Sequence, residues 1–386
     1  MARLLALFLV ACTARAQLPT SAVLSDSDWR SFRGEVSRIE SLLLSALDKA
    51  AVSYAMARTW ASAGQWTEAM QWLRRTITLR AGIDPDGDSI FAALRGTREF
   101  ADIADEVQRT TPPISRSTLA FVIPEGDLVP ESIAYDPKGK YFYLGSMTKG
   151  KVVRCSAQGR CADFARGLGT VLGLRIARNG LWLLSNSDDE SSLVRFDLVS
   201  ARVISKHPVK GGGHTFNDLV IAPSGDAYIT DTRASAVWHL AKGASDLTRL
   251  PVRFEFANGI AISPGGGKLF VATFPDGITT LDLKTNLATP IARPADLCLM
   301  TIDGLYYHRG ALIAVQGGYM VPRVARFALD RSGRTIEHAE VLERRNVRFN
   351  GITTGVVVGG SLYYMANIQD GKTSGFEPIA ILKLRI

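Results

Sequence analysis

Histidine and cysteine are scarce in this chain, five and four among 386 residues. Cys155 and Cys161 have no His or further Cys near them in sequence, which argues against a metal site there. Long apolar runs are also missing. The longest near the start, Leu4 to Val10, is too short to span a bilayer, and no later segment reaches spanning length. Nor is there a basic run interleaved with aromatics. The formal charge of +8 is spread over scattered Lys and Arg, with short doublets such as Arg74-Arg75 and Arg344-Arg345. It reads as a solvated basic surface, and no nucleic-acid partner is expected.

The first 16 residues read as an export signal. Arg3 precedes the short apolar stretch, and Ala14-Arg15-Ala16 offers small residues for cleavage. A secreted or periplasmic location follows. Leu9-Val10-Ala11-Cys12 also resembles a lipobox, which would anchor the protein to a membrane through lipidated Cys12. Beyond the signal, Cys155 and Cys161 flank the turn-like Ser-Ala-Gln-Gly-Arg, a spacing suited to a cross-hairpin disulfide in an oxidising compartment. Cys298 is most simply a small buried apolar residue.

Two periodicities divide the rest. Residues 17–110 carry a helical pattern, with apolar residues at helical spacing on both sides of Gly64 and small Ala57, Ala61 and Ala69 where two helices would meet. This stretch resembles one tetratricopeptide repeat, followed by a helical cap around Phe91 to Gly96 and Phe100 to Ile103. Its apolar stripe reads as core, with a groove for a protein partner as the alternative.

Thr111-Pro112-Pro113 breaks the helix, and residues 111–386 become a series of short strands. Six units open in the same way: Glu131-Ser132-Ile133-Ala134, Leu172-Gly173-Leu174-Arg175, Asn217-Asp218-Leu219-Val220, Asn258-Gly259-Ile260-Ala261, Asp303-Gly304-Leu305-Tyr306 and Thr353-Thr354-Gly355-Val356. After each opening comes a Gly turn and a second apolar strand, such as Tyr141 to Leu144 or Leu362 to Met365. A period of roughly 40 to 50 residues with about four strands is that of a propeller blade. The expected fold is mainly β, a six-bladed β-propeller behind a small N-terminal α-helical region. Thr118 to Ile123 is expected to add an outer strand to the last blade and close the ring.

The residue opening each inner strand points at one mouth of the central channel. Four openings carry an oxygen ligand, Glu131, Asn217, Asn258 and Asp303, while blades two and six offer Leu172 and Thr353. Two carboxylates and two amide carbonyls make a hard, all-oxygen set, which favours Ca²⁺, or another divalent cation of similar taste, over Zn²⁺. Singly, Asn-Asp, Asn-Gly and Asp-Gly are ordinary turn formers. Their shared register in four repeats is what points to a metal.

Phe216-Asn217-Asp218-Leu219, Ala222-Pro223-Ser224-Gly225, Tyr228-Ile229-Thr230-Asp231 and the run Asn258 to Pro264 resemble the repeated signatures of the gluconolactonase/regucalcin (senescence marker protein) family. More distantly they resemble the paraoxonases and diisopropyl fluorophosphatase. The resemblance covers residues 117–386 and implies a calcium-dependent hydrolase of a lactone or related ester. It places Glu131, Asn217, Asn258 and Asp303 at the family's metal ligands. Two departures stand out. Ser132 replaces the acidic residue used for a second calcium in paraoxonases, although Asp218 is kept, and Leu172 stands where paraoxonases have a catalytic His. The cation would polarise the substrate carbonyl for water attack. The base that takes the water's proton would be Asp303 or else His214, which follows the flexible Gly211-Gly212-Gly213. A non-catalytic ligand- or protein-binding propeller is the first alternative. Quinone-dependent sugar oxidation is a second, for which only His214, His239 and Arg175 are loosely placed. Specificity would lie in the mouth loops, such as Ser146 to Lys151, Ser185 to Ser192, Phe274 to Gly277, Gln316 to Pro322 and Asn367 to Lys372.

Overall fold

The computed structural model describes residues 26–45, 49–274, 276–368 and 376–386. The expected signal peptide and the Cys12 lipobox lie outside the described residues. The chain divides into two compact units, one holding the helices up to Pro112 together with Ala295–Met300, the other holding the rest.

In the helical unit, α1 (Asp26–Ser45), α2 (Lys49–Ser62), α3 (Trp66–Thr78) and α4 (Arg98–Thr110) follow in order, with a 3₁₀ turn at Ser89–Leu94 before α4. Gly64 adopts φ +69° between α2 and α3, and the Gln65 N–H donates back to the Trp60 carbonyl. That left-handed stop is what a glycine supplies cheaply at a helix C-terminus. Ala57 and Ala69 are fully buried, so the two helices approach as closely as the small residues allow. Asp88 gathers the unit's buried polar groups. It pairs with Arg58, accepts from Tyr54 Oη at 2.8 Å and caps the 3₁₀ turn through the Ile90 N–H.

The second unit opens with β1 (Thr118–Ile123). Blade one is β2 (Pro130–Asp136), β3 (Tyr141–Ser146), β4 (Lys151–Cys155) and β5 (Cys161–Arg166). Blade two is β6 (Thr170–Ala177), β7 (Gly180–Asn186), β8 (Glu190–Asp197) and β9 (Val203–Lys210). Blade three is β10 (Phe216–Ile221), β11 (Ala227–Asp231), β12 (Ala236–Leu240) and β13 (Thr248–Arg249). Blade four is β14 (Ile260–Ile262), β15 (Lys268–Thr273), β16 (Gly277–Asp282) and β17 (Leu287–Pro290). Blade five is β18 (Ile302–His308), β19 (Ala311–Gln316), β20 (Arg323–Leu329) and β21 (Ile336–Arg344). Blade six is β22 (Gly355–Val358), β23 (Ser361–Met365) and β24 (Ile379–Arg385), completed by β1.

Each blade is an antiparallel meander, and the first strands of the six blades touch in a closed ring, β2, β6, β10, β14, β18, β22 and back to β2. These are the innermost strands of a six-bladed propeller, as the repeat predicts. Between blades the alternating apolar residues interdigitate. Trp182, Leu184 and Leu193 of blade two, for example, meet Phe216, Leu219 and Ile229 of blade three. The ring closes where the sequence places it, with Phe121 and Ile123 of β1 opposite Ile381 and Ile379 of β24. Glu343, fully buried, accepts the N–H groups of Arg116 and Ser117 and so fixes the segment entering β1. Cys155 and Cys161 face each other across β4 and β5 and form a disulfide. Cys298 is buried.

Candidate functional site

The opening residues occupy a defined irregularity of the backbone. Pairing of β2 with β3 slips between Pro130 and Ser132, which leaves Glu131 outside the ladder, and pairing of β18 with β19 slips between Ile302 and Gly304, which does the same for Asp303. In β10 the slip frees Asn217 and Asp218, and in β6 it frees Leu172 and Gly173. Asn258 and Thr353 stand just ahead of β14 and β22. A bulge adds a residue to one strand and re-aims its side chain. Repeated at the same end of four inner strands, it turns the opening residues out of the sheets.

The glycines that follow three of these residues make room for that arrangement. A Cβ on Gly259 would sit 2.5 Å from the Asp303 carbonyl oxygen, and one on Gly173 would sit 2.9 Å from that of Asn217. One on Gly304 would meet Tyr306 Oη at 2.7 Å. Asn258-Gly259, which looks like a turn dipeptide in isolation, is a place where the adjacent inner strand approaches too closely for a side chain, whereas at Asp303-Gly304 the room is taken by Tyr306 of the same strand.

Glu131 and Asp303 come from blades one and five, yet the Asp303 charge reaches Glu131. Burial, then the Asp303 charge, pushes the Glu131 carboxyl up to about 8, against a hydrogen bond from Thr353 Oγ1 at 2.7 Å. Burial likewise pushes Asp303 up to about 7, opposed by the Asn258 amide donating at 3.0 Å. Glu131 also receives Thr354 Oγ1 on its main-chain carbonyl at 2.5 Å. Thr353, an opening residue with no assigned role in the sequence reading, therefore holds a candidate ligand in place. The Asn217 side chain makes no hydrogen bond among the described residues. Among them, too, no group of three or more His, Cys, Asp or Glu side chains is arranged to hold a metal. The expected set contains only two carboxylates, its other members being amides.

Asp218 takes a different part from its neighbour Asn217. Its buried carboxylate receives Arg175 on both oxygens, at 2.9 and 3.0 Å, and the Ile260 N–H at 3.2 Å. Burial raises its pKa and the Arg175 charge opposes the rise. The same guanidinium lies 5.7 Å from the Tyr306 ring centre, and Tyr306 Oη accepts the Gly355 N–H at 2.7 Å. With the Thr354 bond to Glu131, these contacts join residues of all six blades in one connected chain across the axis.

His214 lies before β10, at the end of blade three from which Asn217 opens. Its Nδ1 is 2.6 Å from Asp231 Oδ2, and the ring stands edge-on to Trp238 with 5.6 Å between centres. Asp231, the last residue of β11, is fully buried. Sequence reasoning named His214 but not its contact with Asp231, and it foresaw neither the Arg175–Asp218 pair nor the place of Tyr306 beside it. Arg175 and Tyr306 share the fourth position of their openings, where the other blades carry Ala134, Val220, Ala261 and Val356. Comparing that column would have exposed them.

No protein-family model matches the chain, and no curated protein matches it. Solved structures do. The gluconolactonase XC5397 from Xanthomonas campestris superposes with TM-score 0.50 at 15% identity, covering 70% of this chain and 98% of its own. Regucalcin from Agrobacterium tumefaciens, a calcium-binding protein, gives 0.51 at 17%, covering 69% and 95%. The PQQ-bound aldose sugar dehydrogenase from Streptomyces coelicolor gives 0.51 at 14%, covering 71% and 99%. At these identities the likeness is one of fold, and the three bear on the propeller rather than on the tetratricopeptide likeness of the helical unit.

Proposed function

We propose that the protein is a divalent-cation-dependent hydrolase of a lactone or related ester, with Ca²⁺ the cation its donor set favours. One observation carries the reading. Two half-buried carboxyls, Glu131 and Asp303, open their inner strands within reach of one another's charge and, among the described residues, are met only by a hydroxyl and an amide. Buried charges of one sign are tolerated when a cation or a proton neutralises them. The residues present fit a hard cation, with Glu131, Asn217, Asn258 and Asp303 to hold it and no Cys or His among them. When bound, such an ion supplies Lewis-acid polarisation of the substrate carbonyl.

The chain's own groups do the rest. Thr353 restrains the Glu131 carboxylate, and Asn258 restrains Asp303, so both oxygens stay aimed without reorganisation. Asp303 is one candidate base, but its carboxyl is committed to the ligand set. His214, on the rim of the same mouth, is the other. The Cys155–Cys161 disulfide supports placing the protein in an oxidising compartment, secreted or periplasmic. A protein partner for the helical unit belongs to the same proposal, because α2 and α3 form a compact helical hairpin.

The test is a panel of aldonolactones, acyl lactones, aryl esters and phosphotriesters, assayed with calcium and with chelator, beside calorimetric calcium titration. Asp303→Ala should abolish calcium binding and turnover together. Full hydrolysis by that variant would overturn the assignment. Calcium binding with no turnover on any member of the panel would leave a ligand-binding propeller instead.

A further inference from the structure

We infer that Asp231 is a positioning residue that fixes His214 as the Nδ1–H tautomer, leaving Nε2 as the proton acceptor at the mouth. The inference rests on the hydrolase reading for its chemistry, though not for its geometry. Asp231 is fully buried and both its oxygens are used. Oδ1 accepts the backbone N–H groups of Thr215 at 3.0 Å and Ala234 at 3.1 Å. Oδ2 accepts Trp238 Nε1 at 3.1 Å and lies 2.6 Å from His214 Nδ1.

Three of those four partners can only donate, since backbone and indole N–H groups have no lone pair to offer. A carboxylate surrounded in this way accepts from the fourth as well, so the proton of a neutral His214 sits on Nδ1. The free lone pair is then on Nε2. Trp238 closes one side of the ring edge-on, and Phe216 stands 6.4 Å away. The imidazole is therefore held in both tautomer and orientation while about 20% of its side chain stays exposed. A buried carboxylate bound to one imidazole nitrogen, with the other nitrogen presented to solvent, is the arrangement that makes histidine a general base.

The step balances as follows. Nε2 takes a proton from water as the water oxygen bonds to the substrate carbonyl carbon, and the carbonyl π pair moves to its oxygen. When that pair returns, the bond to the alkoxy oxygen breaks and the leaving oxygen takes the proton from Nε2. Water and ester become acid and alcohol, with His214 unchanged. Asp231 touches none of the reacting atoms, and it keeps its charge throughout.

Nitrogen-15 spectra of the full-length protein labelled at histidine test the geometry without any substrate. The His214 signals, identified by their loss in His214→Gln, should report a protonated Nδ1 and a bare Nε2 at alkaline pH. Asp231→Asn should reverse this, because its amide would donate to Nδ1 and drive the proton to Nε2. Because the Asn amide would also face the Trp238 N–H, Asp231→Asn/Trp238→Phe provides a second variant free of that clash. On a substrate found with the panel, both Asp231 variants should lower kcat by about 10²-fold or more with KM little changed, and calcium binding should be intact. A bare Nδ1 in the wild-type protein would overturn the inference, and so would an Asp231→Asn variant with wild-type kcat. Absence of any wild-type hydrolysis would count against the proposed function alone, since the spectra decide the tautomer independently.

Discussion

Stripping divalent cations from the protein should expose the cost of holding Glu131 and Asp303 ionised side by side. Their carboxyls are pushed up to about 8 and about 7, against 4.5 and 3.8 for the free groups. The folded chain thus keeps protons that the unfolded chain releases near pH 4. Below that pH both states are protonated and the pair contributes nothing. As pH rises, the unfolded state ionises freely and the folded state does not, so stability falls until the folded groups finally titrate, then levels off. At about 1.4 kcal/mol per unit, a rise of roughly three units costs on the order of 4 kcal/mol for the first carboxyl to ionise. For a domain of this size that corresponds to roughly 10 °C in Tm. Differential scanning fluorimetry with chelator, from pH 5 to 8.5, should show this decline. Calcium at about a hundred times its Kd should restore about 2.7 kcal/mol at the alkaline end. Glu131→Gln/Asp303→Asn should remove most of the slope and the calcium response together. A chelated wild-type protein whose Tm is as pH-dependent as that double variant's would refute the reasoning.

Two further outcomes follow from packing at the axis. Gly259→Ala would place a Cβ 2.5 Å from the Asp303 carbonyl oxygen, so stability should fall by about 1–3 kcal/mol and calcium affinity should weaken. Gly267→Ala, with nothing within 4 Å, serves as the control and should do neither; both are read by chemical denaturation and calorimetry. Arg175→Met should cost about 3–5 kcal/mol by leaving the Asp218 carboxylate buried without its cation. Adding Asp218→Asn should recover much of that loss, and an unchanged double variant would mean the pair is not the source.

The architecture was legible because the apolar runs alternate at strand period and recur at blade period. Even the closing strand at Thr118–Ile123 follows from its position ahead of the first opening. The four oxygen-bearing openings were legible as a register, but their local conformation was not. Asn258-Gly259 has the composition of a turn, and only the approach of the Asp303 backbone reveals why glycine is required. The Asp231 contact to His214 was hidden for another reason. It joins residues 17 apart across a hairpin end, and neither spacing nor composition marks which mouth residues share a carboxylate. The loops Phe274–Gly277 and Asn367–Lys372, named as specificity elements, fall partly outside the described residues.

The fold by itself selects no chemistry, since a gluconolactonase and a PQQ-bound sugar dehydrogenase superpose on it about equally well. The axis residues favour one of them. A cofactor rich in carboxylates needs cations free to receive it, and the cation held at the opening strands is Arg175. That guanidinium is already bound on both Asp218 oxygens and set against Tyr306 from the opposite blade. A few residues along, Glu131 and Asp303 bring two carboxyls together with no guanidinium or ammonium hydrogen-bonded to either among the described residues. The mouth is therefore short of positive charge where the tunnel begins and neutralised further in. A small divalent ion satisfies that distribution, whereas an anionic cofactor would add to the repulsion. Replacing Glu131 by Lys should accordingly abolish calcium binding while keeping the protein folded at neutral pH, because an ammonium beside Asp303 does the ion's electrostatic work without its open coordination sites.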